Sequence, residues 1–203
     1  MEALIATLQA GTFHFNYRTD AIGRVTHLFF AHPKSVELLL KYPDVLLLDC
    51  TYRTNKFKMP LLNIVGTTCL DTSFHAAFCF LAKEEEGDYV WALEQLKKLF
   101  ILGMQVHAIV TDREISVINA CRQVFPTANR LLCLWHVEKN VLTHASKEFD
   151  EGEQRDAFMK AWVKVMHSKT EKLYEENWTA FQNAYDHLVP GLVQYIKDTW
   201  IVP

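Results

Sequence analysis

Residues 13–19 alternate polar and apolar side chains with the period of a strand, and Asp20-Ala21-Ile22-Gly23 reads as a turn. Val25 to Ala31 then returns antiparallel, so residues 1–44 form a lead-in of a β-hairpin and a helix. The run Val45-Leu46-Leu47-Leu48-Asp49-Cys50-Thr51-Tyr52 is a buried strand with one acid inside it. Two more apolar strands follow, at 60–69 and 74–82, through short connections that predict an antiparallel meander.

The period then changes to that of a helix. Leu93, Leu96 and Phe100, with Trp91 nearby, make a stripe for which Asp88 is the expected N-cap. A strand over 106–110 ends at Thr111-Asp112. Ile115, Ile118, Cys121 and Phe125 form the next helical face, closed by Pro126, and Arg130 to Leu134 reads as a short buried strand. Val137, Val141, Ala145 and Phe149 share a further helix face. From residue 150 everything reads helical: Tyr174, Trp178, Phe181, Tyr185 and Leu188 lie on one stripe until Pro190-Gly191, and such a stripe is a packing surface before it is a ligand site. The order β-β-β-α-β-α-β-α predicts an α/β fold, a mixed five-stranded sheet with helices on its faces. In it the strand over 45–52 is central, with the strand over 106–110 beside it. The arrangement resembles the ribonuclease-H-like one, with a core over 45–149 and a helical C-terminal insertion segment over 150–203.

The chain has 203 residues, half of them hydrophobic, enough for one sizeable core. Its formal net charge of −3 does not suit a free-standing DNA-binding module, where a basic excess is usual. A nucleic-acid surface would have to be local or lie on another part of the protein. The five cysteines are single and sit mostly in apolar runs, as small hydrophobes in a reducing compartment do. No apolar run reaches membrane-spanning length, and Met1-Glu2-Ala3-Leu4 lacks the plan of a signal peptide. A soluble, intracellular protein with no membrane partner is expected.

Asp49 shares its strand face with Val45 and Leu47. A carboxylate buried there without partners costs several kcal/mol or takes up a proton, on the order of magnitude known for such groups. A solvent-facing position, a neighbouring donor such as Thr51, or a bound cation would each remove the difficulty. Asp112 closes one strand and opens a helix, and Thr111-x-x-Glu114 also has the spacing of a capping box. Together the two acids are more specific. Both stand near the carboxyl ends of adjacent parallel strands, where open α/β sheets place their sites. Paired carboxylates repel, and a hard divalent cation resolves the repulsion. Cys133-x-x-His136 has the spacing of half a zinc site, but no second pair accompanies it, and packing for Cys133 with a structural or site-adjacent hydrogen bond for His136 is the plainer reading.

Four motifs, in order, resemble the Mutator-like element (MULE) transposase domain: Asp49-Cys50-Thr51-Tyr52, Met59-Pro60-Leu61-Leu62, Thr111-Asp112-Arg113-Glu114, and Cys133-Leu134-Trp135-His136 with Lys139-Asn140. The resemblance runs over roughly 12–149. It implies a ribonuclease-H-like transposase core of the DDE superfamily, with Asp49 and Asp112 as catalytic and metal-binding acids and Tyr52, Glu114, Cys133 and His136 as motif residues. It also implies Mg²⁺, replaceable by Mn²⁺, with no zinc expected. The partners would be terminal-inverted-repeat and target DNA, reached largely through regions absent here, with a homo-oligomer in keeping and the nucleus as the location. The family's third acid is a glutamate beyond a helical insertion. No matching segment occurs before Pro203, so it is expected further on. Glu138 and Glu148 are geometric substitutes that fit no family motif.

Two other classes compete. One is a domesticated, transposase-derived DNA- or protein-binding regulator without catalysis, as in the far-red-impaired-response group. The other is a phosphatase of the haloacid dehalogenase class, whose apolar strand also ends Asp-x-Thr. That class needs a second acid where Thr51 stands, and the meander contradicts its topology.

Overall fold

The computed structural model describes residues 2–52, 55–150 and 152–201. They divide into two compact units, Met1–Leu132 and Cys133–Pro203.

The first unit is a mixed α/β structure. Helix α1 (Glu2–Ala10) precedes the hairpin β1 (His14–Thr19) and β2 (Val25–Ala31). Helix α2 (Pro33–Lys41) follows; Pro33 starts it, and the His32 side chain accepts from the Lys34 amide. The meander is β3 (Val45–Thr51), β4 (Leu61–Thr67) and β5 (Ser73–Phe80). Then come α3 (Glu86–Lys97), β6 (Ala108–Thr111), α4 (Ile115–Val124) and β7 (Asn129–Leu132).

One sheet takes in every strand, in the order β1-β2-β5-β4-β3-β6-β7. It has seven strands, not the five expected, because β2 pairs antiparallel with the outer edge of β5 through Leu28–Phe80, Phe29–Cys79 and Phe30–Phe78. The unbroken apolar run Leu28-Phe29-Phe30-Ala31 is the composition of an interior strand, which a free-standing hairpin does not need. β3 holds the central place expected of it, antiparallel to β4 and parallel to β6.

Alternation along β3 sorts its side chains. Leu46 and Leu48 are buried, while Val45, Leu47 and Asp49 are half-buried on the other face. The buried face meets Ile64 and Ile109 from the sheet, Leu39 of α2, Leu93 and Leu96 of α3, and Cys121 of α4 in one core.

Several expectations are corrected. The N-cap of α3 is Glu85; Asp88 lies inside the first turn, accepts the Lys83 amide at 3.1 Å, and meets His27 Nε2 at 2.7 Å. An acid at that position reaches back over the helix start instead of capping it. The buried face of α4 is Val117, Ala120, Cys121 and Val124, and Ile115 is 64% exposed. Ile115 is the first helical residue, and the helix turns it away from the core. Residues 130–134 are not a buried strand. β7 is an edge strand with all four residues exposed, Leu131 at 51% among them, and Leu134 already belongs to a helix.

The second unit is helical throughout its described residues: α5 (Leu134–Glu148), α6 (Gly152–Met166), α7 (Glu171–Tyr185) and α8 (Pro190–Ile196), then a π-helical turn, Lys197–Ile201. Helix α5 falls in this unit, which begins at Cys133. Val137, Val141 and Ala145 of α5 pack with Phe158, Trp162, Phe181 and Ile196 in a second core. Tyr174, Trp178 and Tyr185 lie against it as packing residues. Leu188 does not, being 60% exposed beyond the end of α7.

Candidate functional site

The carboxyl ends of β3 and β6 carry the two acids. Val45 pairs with Ala108, Leu46 with Ile109 and Leu47 with Val110. Continuing that register carries Asp49 to the level of Asp112. Asp49 lies inside β3, two residues before its end, and Asp112 lies one residue past the end of β6. Both are half-buried.

The Thr51 hydroxyl donates to the Leu61 carbonyl (3.3 Å) and accepts from Asn63 Nδ2 (3.0 Å), so Thr51 is not the donor that holds the Asp49 carboxylate. Asn63 stands directly opposite Asp49 on β4 and stiffens the strand pair at its level. The capping box is absent. Thr111 is buried and donates to the Asp112 carbonyl (2.7 Å), while Glu114 is itself the N-cap and makes no side-chain cap bond. Asp112 Oδ1 instead accepts the Glu114 amide at 3.3 Å, which pins the turn from β6 into α4.

A second group of polar side chains lies where the same strands end. Tyr52 donates its hydroxyl to Glu84 Oε2. The hydroxyl of Tyr89, a residue otherwise buried in α3, reaches Glu84 Oε1 at 3.3 Å and Glu114 Oε2 at 3.2 Å. Burial, then the Glu84 charge, raises the Glu114 carboxyl above the ordinary range, with Asp112 adding to it and the Tyr89 hydrogen bond opposing. Burial raises the Cys50 thiol, and Glu84 raises it further. The Tyr52 phenol is raised first by its bond to Glu84 and then by burial.

Tyr52 and Glu114 are thus brought together through Glu84 and Tyr89, neither of which the sequence singled out. Glu84 stands in the run Lys83-Glu84-Glu85-Glu86, which reads as solvated charge, and Tyr89 reads as one more apolar helix position. Cys133 and His136 fall in the helical unit, Cys133 as the N-cap of α5 and His136 edge-on to Trp135. Among the described residues no group of three or more His, Cys, Asp or Glu side chains gathers closely enough to hold a metal ion. Asp49, Asp112, Cys133 and His136 thus belong to no such group of three. The glutamate expected beyond Pro203 lies outside the described residues. Among those residues no helix is long and apolar enough to cross a membrane.

Fold and acids together define a mixed α/β domain that presents carboxylates at the carboxyl edge of a parallel strand pair. Residues 45–140 match the MULE transposase domain. The chain is 25% identical to Protein FAR1-RELATED SEQUENCE 5 of Arabidopsis thaliana over 205 residues, covering 93% of this chain and 25% of the relative. It is also 25% identical to Protein FAR1-RELATED SEQUENCE 6 of the same plant, over 88% of the chain and 26% of the relative. A third match, 31% identical over 111 residues, lies in the PKS-NRPS hybrid synthetase cheA of Chaetomium globosum and takes in 2% of that protein. The chain therefore spans about a quarter of the two Arabidopsis relatives and a small fraction of the fungal one.

Proposed function

We propose that the chain carries the ribonuclease-H-like catalytic core of a MULE-type DNA transposase, in which Asp49 and Asp112 supply two carboxylates of a site for a divalent cation. The observation that supports this reading is the parallel register of β3 and β6, whose last pair, Leu47 with Val110, stands two residues before each acid. Asp49 and Asp112 offer only oxygen donors, and a magnesium ion is commonly held by one or two carboxylates with water and substrate phosphate. The pair fits such an ion as a partial site. When bound, the ion would polarise a phosphate oxygen and make a water or a DNA 3′ hydroxyl a better nucleophile.

The chain's own part in that chemistry is positional. Asp49 is fixed within the antiparallel pairing of β3 with β4, opposite Asn63, and Asp112 is fixed by accepting the Glu114 amide on its own carboxylate. Their negative charge repels a DNA phosphate unless a cation lies between, so metal binding and substrate binding are coupled. The test is nicking of terminal-inverted-repeat DNA by a longer protein that contains this domain, in Mg²⁺ or Mn²⁺. Loss of nicking in Asp49→Asn and Asp112→Asn, with folding intact, is the expected result. Full activity in both variants would reject the assignment.

A second reading has its own support. The Arabidopsis relatives carry FAR1-related names, and no third acid joins Asp49 and Asp112 among the described residues. On this reading the domain is a transposase-derived module that associates with DNA or protein without catalysis, in the nucleus. Chromatin occupancy without metal-dependent nicking would favour it.

A further inference from the structure

Resting on the reading of Asp49 and Asp112 as the cation's carboxylates, we propose that Tyr52, Glu84, Tyr89 and Glu114 are positioning residues, a clasp that sets the two strand ends at the spacing the ion requires. Tyr52 follows Asp49 on the run out of β3, and Glu114 follows Asp112 on the turn out of β6. Tyr52 is bonded to Glu84, Glu84 to Tyr89, and Tyr89 to Glu114. The two acid-bearing segments are therefore joined by a continuous chain of side-chain hydrogen bonds that passes through neither acid.

Three features give the clasp its function. Tyr89 is buried, at 1% exposure, and is held in place by α3, so its hydroxyl is a fixed point for both loops. A phenol has one proton to donate, so Glu84 and Glu114 share it, and movement of either carboxylate is felt by the other. Glu114 occupies the N-cap of α4 yet makes no cap bond with its side chain; its carboxylate is turned to Tyr89 instead. Groups that orient a metal's ligands without touching the metal commonly carry roughly tenfold or more in affinity.

The test uses Mn²⁺ as the probe, followed by its electron paramagnetic resonance spectrum, and amide hydrogen exchange on the metal-free chain. Tyr89→Phe and Glu114→Ala weaken Mn²⁺ binding by roughly tenfold. Glu114→Gln stays near wild type, because the glutamine oxygen still accepts the Tyr89 hydroxyl. Without metal, Tyr89→Phe and Glu114→Ala speed exchange at Tyr52 and over 112–114 and leave the β1–β2 amides unchanged. Unchanged exchange at the strand ends overturns the clasp whether or not metal binds. Glu114→Gln as damaging as Glu114→Ala overturns it too, since charge and not position would then matter. If Asp49→Asn and Asp112→Asn leave Mn²⁺ binding unchanged, the metal reading fails, and the exchange data still decide the clasp.

Discussion

Leu46 and Ile109 face each other across the parallel pair of β3 and β6, and solvent reaches neither side chain. This contact locks the register on which the position of Asp49 beside Asp112 depends. A slip of one residue in either strand would put the two acids on opposite faces of the sheet. Ile109→Ala should cost about 2–5 kcal/mol, the usual range for emptying a buried branched side chain. Urea unfolding followed by circular dichroism measures the loss. A change under about 0.5 kcal/mol, the size of an ordinary surface substitution, would show that this contact does not hold the strand pair.

Asp88 joins three elements. Its two oxygens meet the Lys83 amide ahead of α3 and the imidazole of His27 on β2, and His27 is itself buried with its ring edge on Trp91. Asp88→Ala leaves both partners without the acceptor and should destabilise by about 1–3 kcal/mol. Asp88→Asn keeps one acceptor oxygen and should cost less. Chemical denaturation of the two variants, side by side, gives the ranking.

Asp20 organises the hairpin turn. One oxygen accepts the amides of Ile22 and Arg24, and the other meets Arg24 Nε at 2.7 Å. These bonds lower its carboxyl below the ordinary value of 3.8. A group lowered in the folded state stabilises above its unfolded pKa, and that contribution is lost as the pH falls through the folded value. Asp20→Ala should therefore melt earlier than wild type at neutral pH, with the gap closing only below pH 3.8. A gap that persists at lower pH would place its origin elsewhere in the turn.

The thiols differ in environment, and their reactivity should follow. Cys69 is exposed, while Cys79 and Cys121 are buried and Cys50 is half-buried with its thiol raised by burial and by Glu84. Burial also raises Cys79 and pushes Cys121 up to about 12. The thiolate is the reactive form, so iodoacetamide at pH 8 should label Cys69 well before these three. Mass spectrometry of the digested protein reads the order, and early labelling of Cys121 would contradict the core.

Much of the sheet was legible in the sequence because strand alternation is a short-range signal. The run from Val45 to Thr51 shows its central position by composition, and the two later strands show theirs by their short connections. Long-range choices were not legible. Nothing near residue 28 says that β2 will pair with β5, and the apolar Leu131 and Leu132 conceal an exposed edge. In α4 two stripes share Cys121; Ile115, at the head of one, is turned to solvent, while Val117, Ala120 and Val124 of the other are buried. At the site, the nearness of Asp49 and Asp112 to the carboxyl ends of adjacent strands followed from strand order. Glu84 and Tyr89 did not, because their meaning depends on which side chains the fold brings around one hydroxyl.

The central claim is that Asp49 and Asp112 act as a pair toward a divalent cation. Calorimetric titration of the chain with Mn²⁺ tests it most directly, comparing wild type with Asp49→Asn, Asp112→Asn and the double variant. The account predicts one class of site, weakened by at least roughly tenfold in either single variant, with little further loss in the double. Equal binding by all four proteins would contradict it.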